Sequence, residues 1–320
     1  GKNIYNSISL YGGYKFNLSS RFTLSTGARY NYVSLNSEIA DNSWYNFPFT
    51  SINSGNDALT GAAGAVYRPD DRTELTVNLS TGFRAPNLDD LGKVFESAPG
   101  VLVVPNPDLK PEKTINYELG LSKTFNGILR WDNSIYYTDY RDIAVVDSFQ
   151  YNGQQYIEYD GLLSRVFANQ NRDKGYIYGF SSNVKVNLNQ RLSWLLGVNY
   201  TYGRIKTDSI DKPLDHIAPL IARSSFIYHN HNFSSELFIN YNGWKKLKNY
   251  YLNGEDNEQY ATPEGMPAWF TLNLRLSYSL HRYVKLQAGV DNIFDTQYRT
   301  FASGINAPGR NFILALRGSF

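Results

Sequence analysis

Arg84 is the side chain whose neighbours best prepare it to meet an anion. It follows Phe83, which ends an apolar alternating stripe, and at that parity its guanidinium points toward whatever the strand encloses. Two roles fit: an ion pair with a carboxylate in the wall, which ranks first, and direct contact with an anionic ligand. The four histidines are His216, His229, His231 and His281. An imidazole offers a transition metal a nitrogen ligand, but the last three sit in or beside short turns, which leaves His216. Phenols add Tyr151, Tyr156, Tyr250 and Tyr251 as iron-ligand candidates; the competing role, which ranks first, is aromatic packing at a rim. Asp108 sits in the turn Asn106-Pro107-Asp108 and is a further ligand candidate; shaping of the loop ranks first there. Asp208, Asp211 and Asp215 crowd one segment, and Glu255, Asp256 and Glu258 another. Oxygen clusters hold Ca²⁺, but this spacing matches no EF-hand, and a solvated acidic loop ranks first. The chain has no cysteine, which excludes disulfides, Cys-ligated zinc and iron–sulfur clusters. It has no Walker motif, nucleophile elbow or His-Glu-x-x-His either. No catalytic residue, resident metal or cofactor is expected.

The elements that carry these residues are strands. From Phe270 to Leu280 the even positions are Phe, Leu, Leu, Leu, Tyr and Leu, and the odd ones are Thr, Asn, Arg, Ser and Ser. Trp194–Tyr202, Leu75–Phe83, Ile115–Leu121 and Val284–Val290 repeat the alternation. A period of two places successive side chains on opposite faces of a strand, and no 3.6-residue stripe competes with it. The pattern predicts about thirteen strands, beginning near Ile4, Phe22, Ala58, Thr73, Thr114, Ile128, Tyr176, Leu192, Ile217, Phe233, Ala268, Val284 and Asn311. Leu274 falls on the apolar face and Asn273 on the polar one, where it is expected to lie open and tolerate substitution.

The connections alternate between short and long. The short ones carry the Asn, Asp, Gly and Ser of tight hairpins; the long ones run from about Asn36–Asn56 through Arg84–Lys113 to Phe294–Arg310. A soluble sandwich has no reason to put every long loop at one end, whereas an outer-membrane barrel does. Tyrosines at strand ends, such as Tyr30, Tyr32, Tyr136, Tyr137, Tyr200 and Tyr202, fit an interfacial girdle. A net charge of +2 excludes a protein that coats nucleic acid by charge, and aromatic content of 15% excludes disorder. Both chain ends of a bacterial barrel lie in the periplasm, which requires an even strand number. Thirteen is odd, so upstream strands are expected.

Phe83-Arg84-Ala85-Pro86-Asn87-Leu88 is followed by Asn106-Pro107-Asp108-Leu109-Lys110-Pro111-Glu112, and the end reads Val290-Asp291-Asn292-Ile293-Phe294-Asp295, then Pro308-Gly309-Arg310-Asn311-Phe312 and Phe320. This series resembles the TonB-dependent outer-membrane receptors, with their FRAP and NPDL-KPE boxes and terminal Phe. The resemblance implies an all-β chain: thirteen or so antiparallel strands at the C-terminal side of a roughly 22-stranded transmembrane β-barrel. Residues 1–320 would then be part of one barrel domain, with the plug domain upstream and outside this chain. It implies a bacterial outer-membrane location and energy-coupled import of a scarce nutrient, an iron chelate or haem first, with cobalamin import or a passive pore as alternatives. The implied partners are outer-membrane lipid, upstream plug and barrel strands, the TonB complex, a small nutrient ligand and a surface lipoprotein, with no nucleic acid among them. In haem receptors of this family a His usually stands between the two boxes; residues 87–105 have none. Phe83, Ala85, Pro86, Asn106, Pro107 and Leu109 read as shaping residues, and Phe320 as part of a C-terminal insertion signal, weakened by Gly318.

Overall fold

The computed structural model describes residues 2–39, 50–98, 100–206, 211–251 and 256–319; Ala98 and Asp173 are described by backbone alone. Phe320, Asp208 and Glu255 lie outside the described residues. Thirteen long strands run in chain order: β1 Asn3–Asn17, β2 Phe22–Glu38, β3 Ser51–Asp70, β4 Thr73–Arg84, β5 Glu112–Phe125, β6 Leu129–Ser148, β7 Leu162–Asn187, β8 Leu192–Ile205, β9 Ile221–Asn230, β10 Phe233–Asn242, β11 Trp269–His281, β12 Val284–Asp291 and β13 Asn311–Gly318. Each pairs antiparallel with the next, so the sheet is a simple meander. Short and long connections alternate without exception along it, which gathers the long ones at one end. One short helix, α1 Leu88–Gly92, lies between β4 and β5. No described helix is long and apolar enough to cross a membrane, which says nothing about crossing by strands.

The alternation becomes two chemically different faces. Leu237 lies opposite Leu274, and Ile239 opposite Leu272, on the apolar face. On the other face Arg223 donates to Glu236 at 2.8 Å and Arg275 to Asp291 at 2.9 Å, and the Arg223 guanidinium lies 3.9 Å from the Phe238 ring centroid. Water or a polar filling satisfies such a face, and hydrocarbon satisfies the first, as in a membrane barrel. Asn273 does lie on the polar face, but it is not open. It is 3% exposed; its amide donates to the Phe238 and Thr271 carbonyls, and its Oδ1 accepts from the Asn292 backbone N–H. The expected tolerance at Asn273 is therefore wrong, because a network no periodicity reveals has closed over it.

Two strands start earlier than the alternation predicts. β3 begins at Ser51 rather than Ala58, and β7 at Leu162 rather than Tyr176. These extensions stand beyond the apolar band. They carry loop structure, so their side chains follow loop packing rather than a lipid-facing period. Val101–Val104 runs parallel to Arg165–Ala168 of the β7 extension, and Leu102, Val104, Tyr151, Val166 and Ala168 form a small core there.

Candidate functional site

The two sequence boxes meet at Arg84. Arg84 ends β4 directly opposite Glu112, the first residue of β5. Its Nη1 donates to Glu112 Oε2 at 2.8 Å, and its Nη2 donates to both Asp90 oxygens at 2.8 and 2.7 Å. Asp90 belongs to α1, where it and Asn87 form a capping box: each side chain accepts the other's backbone N–H at 2.9 Å. The other oxygen of Glu112 accepts from the Ala144 N–H at 2.8 Å, and the carboxylate is buried. Arg84 is thus committed to two carboxylates in a forked arrangement, the wall pairing that ranked first. Direct ligand contact would require breaking one of them.

The second box is sewn to neighbouring strands. Asn106 donates to the Asn169 carbonyl, and Asn171 exchanges hydrogen bonds with the Lys110 backbone. Leu109 is buried with Leu35, Ile52 and Leu91. Pro86 is buried and Ala85 half-buried, while Pro107 and Asp108 stand exposed. We expect Arg84→Ala to loosen residues 85–111 without unfolding the sheet. It leaves a buried carboxylate short of a donor, which costs about 1–3 kcal/mol. Hydrogen exchange of that segment should speed up in the variant; unchanged exchange would sink the assignment.

A second cluster joins the connection after β8 to the one after β10. The buried Asp256 accepts the His216 N–H at 2.9 Å and the Tyr251 N–H at 3.0 Å. Asp215, His216 and Asp256 each bring a ligand atom within 4.8 Å of the others. One nitrogen and two carboxylates are a donor set a divalent transition ion accepts. The same contacts also fasten the two loops, and Asn257 then ties this segment to the Ala302 carbonyl. Lys245 is buried close by, donates to the Ile217 carbonyl and lies 4.4 Å from the Phe301 ring centroid. Burial pulls its ammonium down to about 8, with Asp256 opposing.

The candidate phenols divide. Tyr250 packs edge-on against Phe301, and Tyr251 donates its hydroxyl to the Val146 carbonyl; burial pushes both phenols up to about 12. Tyr151 is buried in the loop core and likewise raised to about 12. Tyr156 is exposed on a short strand, Tyr156–Tyr159, that pairs antiparallel with Leu162–Arg165. The geometry therefore brings His216, itself exposed, together with Tyr251 through Asp256, and leaves Asp108 and Tyr156 exposed and apart from that cluster. Asp90 is not singled out by the sequence, and Asn292 enters there only as part of the Val290–Asp295 series. Asn292 is buried and bridges Thr296 and Pro308, and Asp295 accepts the Arg310 N–H at 2.8 Å. A Cβ at Gly309 would lie 2.5 Å from Asp295 Oδ1, so any larger residue there would displace the side chain that accepts from Arg310.

Residues 1–293 match the family described as TonB dependent receptor-like, beta-barrel. Similar curated proteins include a probable haemoglobin and haemoglobin-haptoglobin-binding protein of Haemophilus influenzae, 26% identical over 80% of this chain and 29% of its own length. Another is the haemoglobin-haptoglobin utilization protein B of Neisseria meningitidis serogroup A, 27% identical over 89% of this chain and 38% of its own. The chain thus spans about a third of these relatives. Among solved structures, the copper transporter OprC aligns over 99% of this chain and 48% of its own with a TM-score of 0.78 at 21% identity. The siderophore receptor PirA of Acinetobacter baumannii aligns over 99% and 55% with a TM-score of 0.71 at 16% identity. These structures share the fold. With the strand meander, the two faces and the linked boxes, the family match makes this chain a member of the TonB-dependent receptor-like β-barrel family and a protein of the bacterial outer membrane.

Proposed function

We propose that the chain supplies strands and outer loops to a receptor that imports carrier-bound iron, haem first and ferric chelates second, driven by the TonB complex. Further barrel strands and a plug would complete it. The reading is carried by relatives named for haemoglobin, which match most of this chain. The locked boxes support it: Arg84 fixes α1 and the 106–112 segment as a rigid outer loop, from which Asp108 projects. The rigid unit reduces the ordering cost of binding a small ligand. The import role belongs to a family of transport receptors, and a surface lipoprotein would act as an accessory to ligand capture. The test is growth of a deletion strain, with and without the full-length gene, on haemoglobin, haemin or ferric chelates as sole iron source. Haemin-dependent growth restored only by the gene is expected. Equal growth without the gene on every source would overturn the reading.

A further inference from the structure

On the apolar face, strand register lines up rows of like residues. Leu79, Tyr117, Tyr137, Tyr178 and Tyr202 lie opposite one another in succession across β4 to β8. The Tyr178 and Tyr202 rings are 5.1 Å apart, and Tyr137 stacks on Tyr176 at 6.4 Å. This is an aromatic girdle at the long-loop end, and that end faces outward.

Four residues further toward the loops, the same register sets Phe83 opposite Lys113, Lys113 opposite Arg141, and Arg141 opposite Lys174. The Lys206 N–H donates to the Lys174 carbonyl, and its ammonium lies 5.7 Å from the Tyr176 ring centroid. All four cations are exposed. With neighbouring strands ~4.8 Å apart, the row spans roughly 14 Å. Among the described residues the carboxylates close to it are Asp139, 3.0 Å from Arg141, Asp211, which accepts from Tyr176 at 3.2 Å, and Asp57, which lines a cleft with Lys113 and Arg141. Three carboxylates leave the four cations with a net positive charge.

Beside the row the sheet opens. The β3–β4 ladder stops at Ala62 and Ser80, and just above that point the Thr81 side chain accepts from the Gly61 N–H at 2.8 Å. The resulting cleft of about 390 Å³ is lined by Leu59, Phe83, Ile115, Lys113, Arg141 and Asp57. Leu59 is 76% exposed, an apolar side chain offered to whatever fills the cleft.

We propose that Lys113, Arg141, Lys174 and Lys206 bind the phosphates of a phosphorylated glycolipid of the outer leaflet, with an acyl chain seated in the cleft at Leu59, Phe83 and Ile115. Cations just above an aromatic girdle sit at headgroup level, and each contributes an attraction to anionic headgroups. A free anion would use the cations and have no use for the apolar cleft. The row's width fits a headgroup with more than one phosphate better than a single phosphodiester.

The test is native mass spectrometry of the delipidated full-length receptor with three probes: a bisphosphorylated glycolipid, its dephosphorylated form and phosphatidylglycerol. The first should bind at least tenfold more tightly than the others and survive an excess of inorganic phosphate. The variant K113Q/R141Q/K174Q/K206Q should lose that preference, and K113R/K174R/K206R should keep it, each with wild-type heat-modifiable gel mobility. Equal binding of the three lipids, displacement by phosphate, or undiminished preference in a folded Gln variant would overturn the proposal. Should the Gln variant fail to fold, the wild-type comparison decides alone.

Discussion

Leu274→Arg should sharply reduce folding into lipid vesicles, while Ser277→Arg should fold nearly as the parent does. Leu274 faces Leu237 across the β10–β11 ladder, midway along a strand of 13 residues. A guanidinium there must enter hydrocarbon near the midplane, which costs about 2–4 kcal/mol. Net stabilities of 5–15 kcal/mol are typical, so that penalty is a large fraction of the total. Ser277 stands on the opposite face, paired with Ser234 and Gln287, beside the Arg275 and Glu236 charges. A new cation there meets polar partners. Asn273→Arg, by contrast, should also fold poorly, because it breaks the bonds to Thr271, Phe238 and Asn292 in a buried pocket. Folding yield against urea separates the three. Equal yields for Leu274→Arg and Ser277→Arg would refute the facing.

The comparison between Leu274 and Asn273 shows what sequence periodicity reports. Alternation reads which face a side chain takes, because hydrocarbon enforces it residue by residue. It does not read whether that side chain is covered, which depends on partners such as Asn292 from a distant turn. The strand order, the thirteen spans and the short–long alternation were legible for the first reason. The early starts of β3 and β7 were not, since Ser51–Asp57 and Leu162–Arg172 lie above the membrane band and carry mixed polar residues. The Arg84 pairing was legible as a type of contact. Its partners were not: Asp90 is six residues on and Glu112 is 28, and only the capped turn of α1 and the β4–β5 register bring both to one guanidinium. Likewise nothing in spacing joins His216 to Asp256, which meet because two outer connections fold against each other.

Residues 1–320 expressed alone should fail to form a stable monomeric barrel in vesicles. Among the described residues β1 pairs with β2 alone and β13 with β12 alone, so the sheet has two open edges. β1 has 15 residues, every one of them exposed. About half of the N–H and C=O groups of an edge strand point away from its partner. In hydrocarbon each unsatisfied group costs several kcal/mol, so one such edge costs tens of kcal/mol, beyond the net stability of a typical domain. Ile8, Leu10, Tyr11 and Tyr14 on β1 add exposed apolar and aromatic surface to that edge, which favours pairing with other chains over monomeric folding. The edges close only if further strands pair with both, whether from the same polypeptide or from another copy. Folding this chain into lipid vesicles, then running heat-modifiable gels and sizing the detergent extract, should show aggregates or multimers. Adding further barrel strands that can pair with β1 and β13, covalently or as a separate piece, should restore a single heat-modifiable species. A stable monomer from this chain by itself would show that β1 and β13 pair with each other, and that thirteen strands suffice.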